Sequence, residues 1–169
     1  TSQGAIKQAY IKAIYSAKER VYIQTPYLIP DEAFKLALVT VAKCGVDVRV
    51  MIPSKPDRGY VYLATQAYAA ELARAGVKIY MRKGFLHSKT LLVDDDIASV
   101  GTFNIDMRRF KLQFELASFI YDKGFGTQLK EVFMKDLQQS RQLDSSYLSA
   151  KSWGRLAKER FMKLLTPLL

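Results

Sequence analysis

Residues 84–122 read GFLHSKTLLVDDDIASVGTFNIDMRRFKLQFELASFIYD and contain three apolar, strand-like segments in close succession. The segments follow one another too closely for helical crossovers. We therefore expect this part of the sheet to be at least partly antiparallel.

The chain before this stretch alternates between strand and helix. Apolar periodicity predicts a helix at 4–18, strands at 21–25, 46–53 and 77–82, and helices between these strands that begin at the N-cap Asp31 and end at Gly76. Such alternation is typical of a parallel sheet with right-handed crossovers. The sequence thus predicts an α/β fold with a mixed, mostly parallel sheet, whose ligand sites lie beyond the carboxyl ends of the strands. The loops TPYLIPDE and IPSKPDRG would lie there.

The chain's only histidine lies in the first strand-like segment. Read as a strand, this segment places His87 and Lys89 on one face and Asp94 on the other, because side chains alternate with period two. A lysine on the inward face is costly unless it is paired or binds an anion. A single histidine in a strand is more often a structural residue, so position alone does not decide its role.

The neighbouring segments carry further polar groups that apolar strands do not explain. Glu115 interrupts LQFELASFIYD, and Thr102 and Asn104 follow IASVG with a hydroxyl and an amide. Together with the imidazole and the ammonium they predict a phosphate-binding site on adjacent strands, without a metal ion.

The spacing of these residues resembles a known signature. His87, Lys89 and Asp94 fit H-x-K-x-x-x-x-D, and Gly101, Thr102 and Asn104 fit the G-[ST]-x-N that follows it in the HKD motif of the phospholipase D superfamily. The resemblance implies a phospholipase D-like fold with helices on both faces of the sheet.

Most of the chain is similar to the C-terminal catalytic half of bacterial cardiolipin synthases. The similar segments are IQTPYLIPDEA, GVDVRVMIPSKPD, AGVKIY, the HKD stretch and the closing LLTPLL. Members of this family carry two HKD motifs, which meet in one site, whereas this chain has one. It departs from the family at Thr102, where serine is commoner, and at Leu28, where phenylalanine is common. It also departs at Phe103, where a small residue is usual, and this change bears on the shape of the pocket.

The resemblance implies roles for the matching residues. His87 would be the nucleophile that forms a phosphohistidine, and Glu115 would hold its other ring nitrogen. Lys89, Asn104 and Thr102 would bind phosphate oxygens. Asp94 belongs to the motif and therefore to the implied catalytic set. Strand parity places its side chain on the face opposite His87, so we interpret it as structural.

The implied activity is phosphatidyl transfer, in which two phosphatidylglycerol molecules give cardiolipin and glycerol. No cofactor or metal is implied. The expected partners are phosphatidylglycerol and other anionic phospholipids, a membrane surface, and a second HKD domain supplied by the N-terminal half of a parent protein or by a second copy of this chain. The parent protein would be anchored in the cell membrane by helices outside this chain, which would itself be a soluble domain.

Composition is compatible with two further hypotheses. The 169 residues are 49% hydrophobic, enough for one core, and the net charge of +10 indicates an anionic partner. A homodimeric nuclease or phosphodiesterase acting on nucleic acid also fits this charge. An inert half-domain that only scaffolds a partner is the other alternative, because the chain has one HKD motif rather than two. The TPYLIPDE loop and the tail resemble the lipid enzymes, which ranks phospholipid above nucleic acid. Cys44 is the only cysteine, so no disulfide framework is predicted.

The expected organisation is a catalytic half-domain at 1–145, followed at 146–169 by a linker and a basic amphipathic helix. The helix carries an apolar stripe that we expect to pack on the domain's own core: Trp153, Leu156, Ala157, Phe161, Leu164 and Leu165. A first residue other than methionine indicates a fragment, and no apolar run reaches the roughly 18 residues of a membrane span.

Overall fold

The computed structural model describes residues 2–55, 59–106, 115–144, 147 and 152–165. Along the chain the elements are α1 (Ser2–Tyr15), β1 (Arg20–Gln24), β2 (Leu28–Ile29), α2 (Glu32–Lys43), β3 (Asp47–Pro53), α3 (Gly59–Arg74), β4 (Lys78–Arg82), β5 (Thr90–Val93), β6 (Ile97–Gly101), β7 (Ile105–Asp106), β8 (Ala117–Ile120), α4 (Lys123–Leu137), β9 (Ser140–Gln142) and α5 (Trp153–Leu165).

Aspartate side chains cap the helices on either side of the sheet. The Asp31 carboxylate accepts a hydrogen bond from the Phe34 N–H at 2.9 Å, which confirms the predicted start of α2. Asp122 caps α4 in the same way through the Phe125 N–H at 2.7 Å. After α2 the chain turns at Gly45, whose φ of 93° lies in the left-handed region that glycine adopts without strain.

Seven strands form the main sheet in the order β8-β6-β5-β1-β3-β4-β9. The central strands β1, β3 and β4 are parallel, and the other four pairings are antiparallel. The α/β class and the mixed sheet are confirmed. The predicted predominance of parallel strands holds only for the centre. Strands β5 and β6 are joined by a turn at 94–96 that is too short for a crossover.

One edge of this sheet gathers one end of each of its seven strands. The parallel strands finish there, with Gln24 beside Met51 and Pro53 beside Arg82. In the antiparallel part, β5, β8 and β9 begin at the same edge and β6 ends there. We call it the carboxyl edge. The small sheet of β2 and β7 links the TPYLIP loop to the segment after β6.

The core has two layers, one on each face of the sheet. Helices α1, α2 and α3 cover the face that carries Ile23, Val50 and Leu91. Helix α4 covers the opposite face, where Phe133 stacks on Tyr22 with ring centroids 4.7 Å apart. The predicted placement of helices on both faces is therefore confirmed.

Strand β9 was not predicted from the sequence. Residues 140–142 lie in a polar stretch without alternation, but they pair antiparallel with β4 at the edge of the sheet. A three-residue edge strand is determined by its partner rather than by its own pattern. The predicted boundary between residues 145 and 146 lies outside the described residues and stays a prediction.

Helix α5 packs on α3 with the side opposite to the one predicted. Trp153 is 88% and Phe161 61% exposed, whereas Glu159 is 2% exposed. The Lys163 ammonium pairs with Glu71 of α3 and lies 4.8 Å from the centroid of the Tyr68 ring. These contacts turn the polar side of α5 inward, so the expected core packing of the Trp153 and Phe161 stripe is wrong. The side chains of Leu156 and Leu164 lie outside the described residues. Within the described ranges, no helix has the length and apolarity needed to cross a membrane.

Candidate active site

The residues of the motif converge at the carboxyl edge. His87 and Lys89 precede β5, Thr102 and Asn104 follow β6, and Glu115 precedes β8. The Lys89 carbonyl accepts a hydrogen bond from the Gly101 N–H at 3.2 Å, and the Leu116 carbonyl accepts one from the Thr102 N–H at 2.8 Å. The prediction that His87, Lys89 and Glu115 lie within strands is wrong, because all three belong to the segments that lead into them.

The His87 imidazole is exposed and has aromatic rings on two sides. Phe85 stacks on it with ring centroids 5.6 Å apart and planes 7° apart. Tyr27, buried in the TPYLIP loop, presents its ring edge-on at 6.4 Å. The sequence indicated the loop but neither of these residues, since an aromatic beside an apolar run has no distinguishing pattern.

Lys89 lies beside the histidine. Its ammonium donates a hydrogen bond to the His87 carbonyl oxygen at 2.7 Å. An ammonium has three N–H donors, so this bond alone does not exhaust its capacity to bind phosphate oxygens.

Thr102 and Glu115 form a pair. The Thr102 hydroxyl donates to the Glu115 carboxylate and accepts a hydrogen bond from the Leu116 N–H at 3.0 Å. A hydroxyl has one proton to donate, so the proton that was expected to bind phosphate is used on Glu115. The expected hydrogen bond between Glu115 and His87 stays a prediction.

Asn104 is 3% exposed, and among the described residues its Oδ1 atom has no hydrogen-bond partner. A buried acceptor without a donor costs about 1–3 kcal/mol. Such an atom in a candidate site is suited to a ligand hydroxyl or amide. The neighbouring Phe103 is also buried, with its ring centroid 4.9 Å from that of Tyr10 in the core. The unusual phenylalanine is therefore accommodated in the core.

The motif glycine has a steric role. A Cβ atom on Gly101 would lie 2.1 Å from the Leu116 carbonyl oxygen. Any side chain here would push β8 away from β6, and with it Glu115 from Thr102.

Asp94 lies at the opposite end of β5 from His87. Its carboxylate accepts hydrogen bonds from the backbone N–H groups of Lys18, Glu19 and Arg20 at 3.0, 2.8 and 2.9 Å. Burial disfavours its ionised form, but these hydrogen bonds outweigh burial and lower the pKa of Asp94. Asp94 therefore stabilises the chain leading into β1 and is too far along β5 to touch the imidazole. Asp94 is thus a stabilising residue, and its inclusion among the catalytic residues is corrected.

Within the described part of the chain, no group of three or more His, Cys, Asp or Glu residues could hold a metal ion.

Two solved structures share this fold. Nuc from Salmonella typhimurium, a phospholipase D family member, superimposes with a TM-score of 0.72 and 24% identity, over 82% of this chain and 91% of that one. A phosphatidylserine synthase from Haemophilus influenzae gives a TM-score of 0.72 at 15% identity, over 97% of this chain and 43% of that one. At these identities the likeness shows the fold, which is phospholipase D-like.

Sequence relatives narrow the assignment. The family model described as cardiolipin synthase, PLD-like domain, matches residues 10–137, so the chain belongs to this family. The cardiolipin synthase of Staphylococcus aureus is 48% identical and that of Listeria monocytogenes 47% identical, each over 165 residues and 97% of this chain. The chain spans about a third of the length of these relatives, 33% and 34% respectively.

Proposed function

We propose that this chain supplies one half of a phosphatidyltransferase site that makes cardiolipin and glycerol from two molecules of phosphatidylglycerol. The observation that carries the proposal is the convergence of His87, Lys89 and the Thr102–Glu115 pair at one edge of the sheet. Membership in the cardiolipin synthase family supports the choice of substrate.

In the proposed first step, a neutral ring nitrogen of His87 attacks the phosphorus of phosphatidylglycerol. A P–N bond forms, the bond from phosphorus to the glycerol oxygen breaks, and the departing alkoxide takes a proton from a general acid. In the second step, a hydroxyl of another phosphatidylglycerol attacks phosphorus, the P–N bond breaks, and the hydroxyl proton returns to that acid.

Lys89 and Asn104 would bind the reacting phosphate. The Lys89 ammonium offsets the charge on the non-bridging oxygens. Asn104 offers an amide N–H₂ for phosphate, and its unpartnered Oδ1 suits a glycerol hydroxyl.

Glu115 would orient His87 and stabilise the positive charge that the ring gains when it forms the P–N bond. Thr102 would then not bind phosphate directly. Its hydroxyl contacts the Glu115 carboxylate and the Leu116 N–H, and these contacts hold the segment that carries the carboxylate. A serine would make the same contact, which explains how threonine is tolerated here.

The rest of the site would come from a second HKD domain, since the chain has one histidine and the proposed reaction needs a nucleophile and an acid. A second domain in a longer protein is the first choice, because the relatives are about three times as long. We place that protein at the cell membrane, where its phospholipid substrates are.

A chimera tests this proposal. This chain replaces the matching C-terminal third of the Staphylococcus aureus cardiolipin synthase, and the purified chimera is assayed for cardiolipin and glycerol from phosphatidylglycerol vesicles, with and without excess chelator. We expect product in both conditions and none from the same chimera with His87→Asn.

A folded chimera without product would contradict the proposal. Cleavage of DNA by the chain alone, lost in His87→Asn and without lipid product from the chimera, would favour the nuclease alternative. Product lost with chelator and restored by magnesium would contradict a metal-free site.

A further inference from the structure

His87 lies in a segment with no regular structure. Residues 83–89, which we call the His87 segment, join β4 to β5 at the carboxyl edge. Within it, Leu86 is 5% exposed and packs in the core layer under α4. The Gly84 N–H donates to the Ser54 hydroxyl oxygen at 3.1 Å. Backbone hydrogen bonds hold the two ends, from the Lys83 N–H to the Gln139 carbonyl at 3.0 Å and from the Gly101 N–H to the Lys89 carbonyl at 3.2 Å. Side-chain contacts are added to these bonds at each end.

Arg82 holds the first end. Its guanidinium donates to the Lys83 carbonyl at 3.3 Å and to the Phe85 carbonyl at 3.2 Å. Phe85 in turn stacks on the His87 ring. The guanidinium is itself oriented by Asp136 of α4, whose Oδ1 accepts a hydrogen bond from Nε at 2.8 Å.

The second end of the segment is linked to the same Asp136 carboxylate through two side chains. The Thr90 hydroxyl, at the start of β5, donates to the Gln24 side-chain oxygen at 3.4 Å. The Gln24 amide then donates to Asp136 Oδ2 at 2.8 Å. Gln24 is 2% exposed, so in this setting its amide has little access to water as a substitute partner.

These contacts reach the His87 segment from the face of the sheet that α4 covers. Gln24 is next but one to Tyr22 along β1, so both point to the face of the sheet that α4 covers. Asp136 lies on α4, 49 positions along the sequence from His87. It therefore acts on the imidazole through other residues.

We infer that Asp136 is a positioning residue, whose two carboxylate oxygens fix the two ends of the segment that carries His87 and Lys89. An amide at this position has one acceptor oxygen and turns its N–H₂ group toward either the Arg82 or the Gln24 donor. One of the two ends must then lose its contact. The expected effect of Asp136 on turnover rests on the proposed function, whereas its effect on the position of His87 does not.

The single histidine makes this measurable without substrate. The His87 imidazole gives one set of NMR signals, and the stacked Phe85 ring shifts its protons to lower ppm. In Asp136→Asn, we expect these signals to move toward the values of an unfolded peptide or to broaden. The matched control is Asp47→Asn. Like Asp136, Asp47 is a partly exposed carboxylate that binds an arginine, but it begins β3 at the opposite edge of the sheet.

Unchanged His87 signals in a folded Asp136→Asn protein would overturn the inference, and so would an equal change in Asp47→Asn. If Asp136→Asn does not fold, Arg82→Lys takes its place. Lysine keeps the charge next to Asp136 but lacks the planar guanidinium, whose Nε binds Asp136 while Nη1 reaches both carbonyls. We expect the same change in signals, and unchanged signals would again overturn the inference.

In the chimera, Asp136→Asn should lower kcat about 10- to 100-fold with little change in KM, as expected for a displaced catalytic group. An inactive parent chimera whose His87 signals still respond to Asp136→Asn would reject the proposed function and keep this inference. Unchanged signals would reject the inference whether or not the chimera is active.

Discussion

His87 and Asp94 share one short motif but belong to opposite ends of β5. The exposed imidazole contacts two aromatic rings at the carboxyl edge. The Asp94 carboxylate accepts hydrogen bonds from three backbone N–H groups at the start of β1. We therefore expect substitution of His87 to affect turnover and substitution of Asp94 to affect stability.

We expect His87→Asn to lower turnover in the chimera by about 10⁴-fold or more, because it removes the proposed nucleophile. The melting temperature of the chain should change little, since the side chain is exposed. Single-turnover rates and thermal melts measure the two effects. A rate near that of the unsubstituted chimera would show that another residue attacks phosphorus.

Asp94→Asn should have the opposite effect, with a loss of about 1–2 kcal/mol in the free energy of unfolding at pH 7. Asparagine tolerates the left-handed φ of 54° found here, so the loss reports the hydrogen bonds. The pKa of Asp94 is lowered by folding, so the ionised carboxylate stabilises the fold. That contribution is complete above the ordinary value of 3.8 and disappears as the pH falls through the lower pKa of the folded state.

Denaturant unfolding of wild type and Asp94→Asn at several pH values checks this prediction. The difference between the two proteins should be constant near neutral pH and shrink below about pH 4. A difference that persists unchanged at low pH would mean that ionisation of Asp94 contributes nothing.

At the scale of elements, α4 fits closely against the turn between β5 and β6. A Cβ atom on Gly126 would lie 2.0 Å from the Asp95 carbonyl oxygen. The same turn is paired to α4 by Lys130 and Asp95 at 2.9 Å. Because α4 also carries Asp136, this contact bears on the site as well as on the core.

Gly126→Ala should therefore destabilise the fold by about 1–3 kcal/mol, since the backbone atoms it meets have to move. The matched control is Gly154→Ala in α5, where nothing lies within 4 Å of the added Cβ. There, alanine should stabilise the helix by up to about 1 kcal/mol. Chemical denaturation of both variants gives the comparison, and equal effects at the two positions would contradict the close packing of α4.

At the scale of the whole molecule, the number of histidines limits what the chain does alone. Positioned general acids contribute about 10²- to 10⁴-fold, and His87 cannot be both nucleophile and acid in one step. We expect the isolated chain to form cardiolipin slower than the chimera by at least this factor. Assays over a range of chain concentrations test this, and full activity in a monomeric sample would contradict the half-site. Activity that rises with the square of concentration would indicate that two copies pair through their His87 residues.

The tail should bind membranes weakly. Residues 150–169 carry five Lys or Arg and one acidic residue. A net charge of four sets an upper limit of about 4 kcal/mol at an anionic surface, or millimolar affinity, because Lys163 is already paired with Glu71. We expect co-sedimentation of the chain with anionic vesicles at low salt, much less at high salt, and little with neutral vesicles.

The exposed Trp153 and Phe161 offer a second mode of binding. Tight binding that is indifferent to salt and is lost in Phe161→Asp would mean that this face of α5 inserts into the lipid. Lys163→Ala would be a poor control, because Lys163 joins α5 to α3.

The sequence by itself determined the family, the α/β class and the residues of the motif. The separation of Asp94 from His87 was predicted from strand alternation, but it arises because the two residues lie beyond opposite ends of β5. HxKxxxxD and GTxN themselves are short-range patterns. The N-cap at Asp31 was predictable for the same reason, since capping depends on neighbours within one turn.

Tertiary structure alone decided which partners these residues meet. The link from Asp136 through Gln24 and Arg82 to the His87 segment joins four separate elements, and the pairing of Thr102 with Glu115 depends on the register of β6 against β8. The inward face of α5 was mispredicted because an ion pair with Glu71 and a contact with Tyr68 outweighed its apolar stripe. Contacts between distant residues depend on strand register and helix packing, and a single sequence does not encode these in any local pattern.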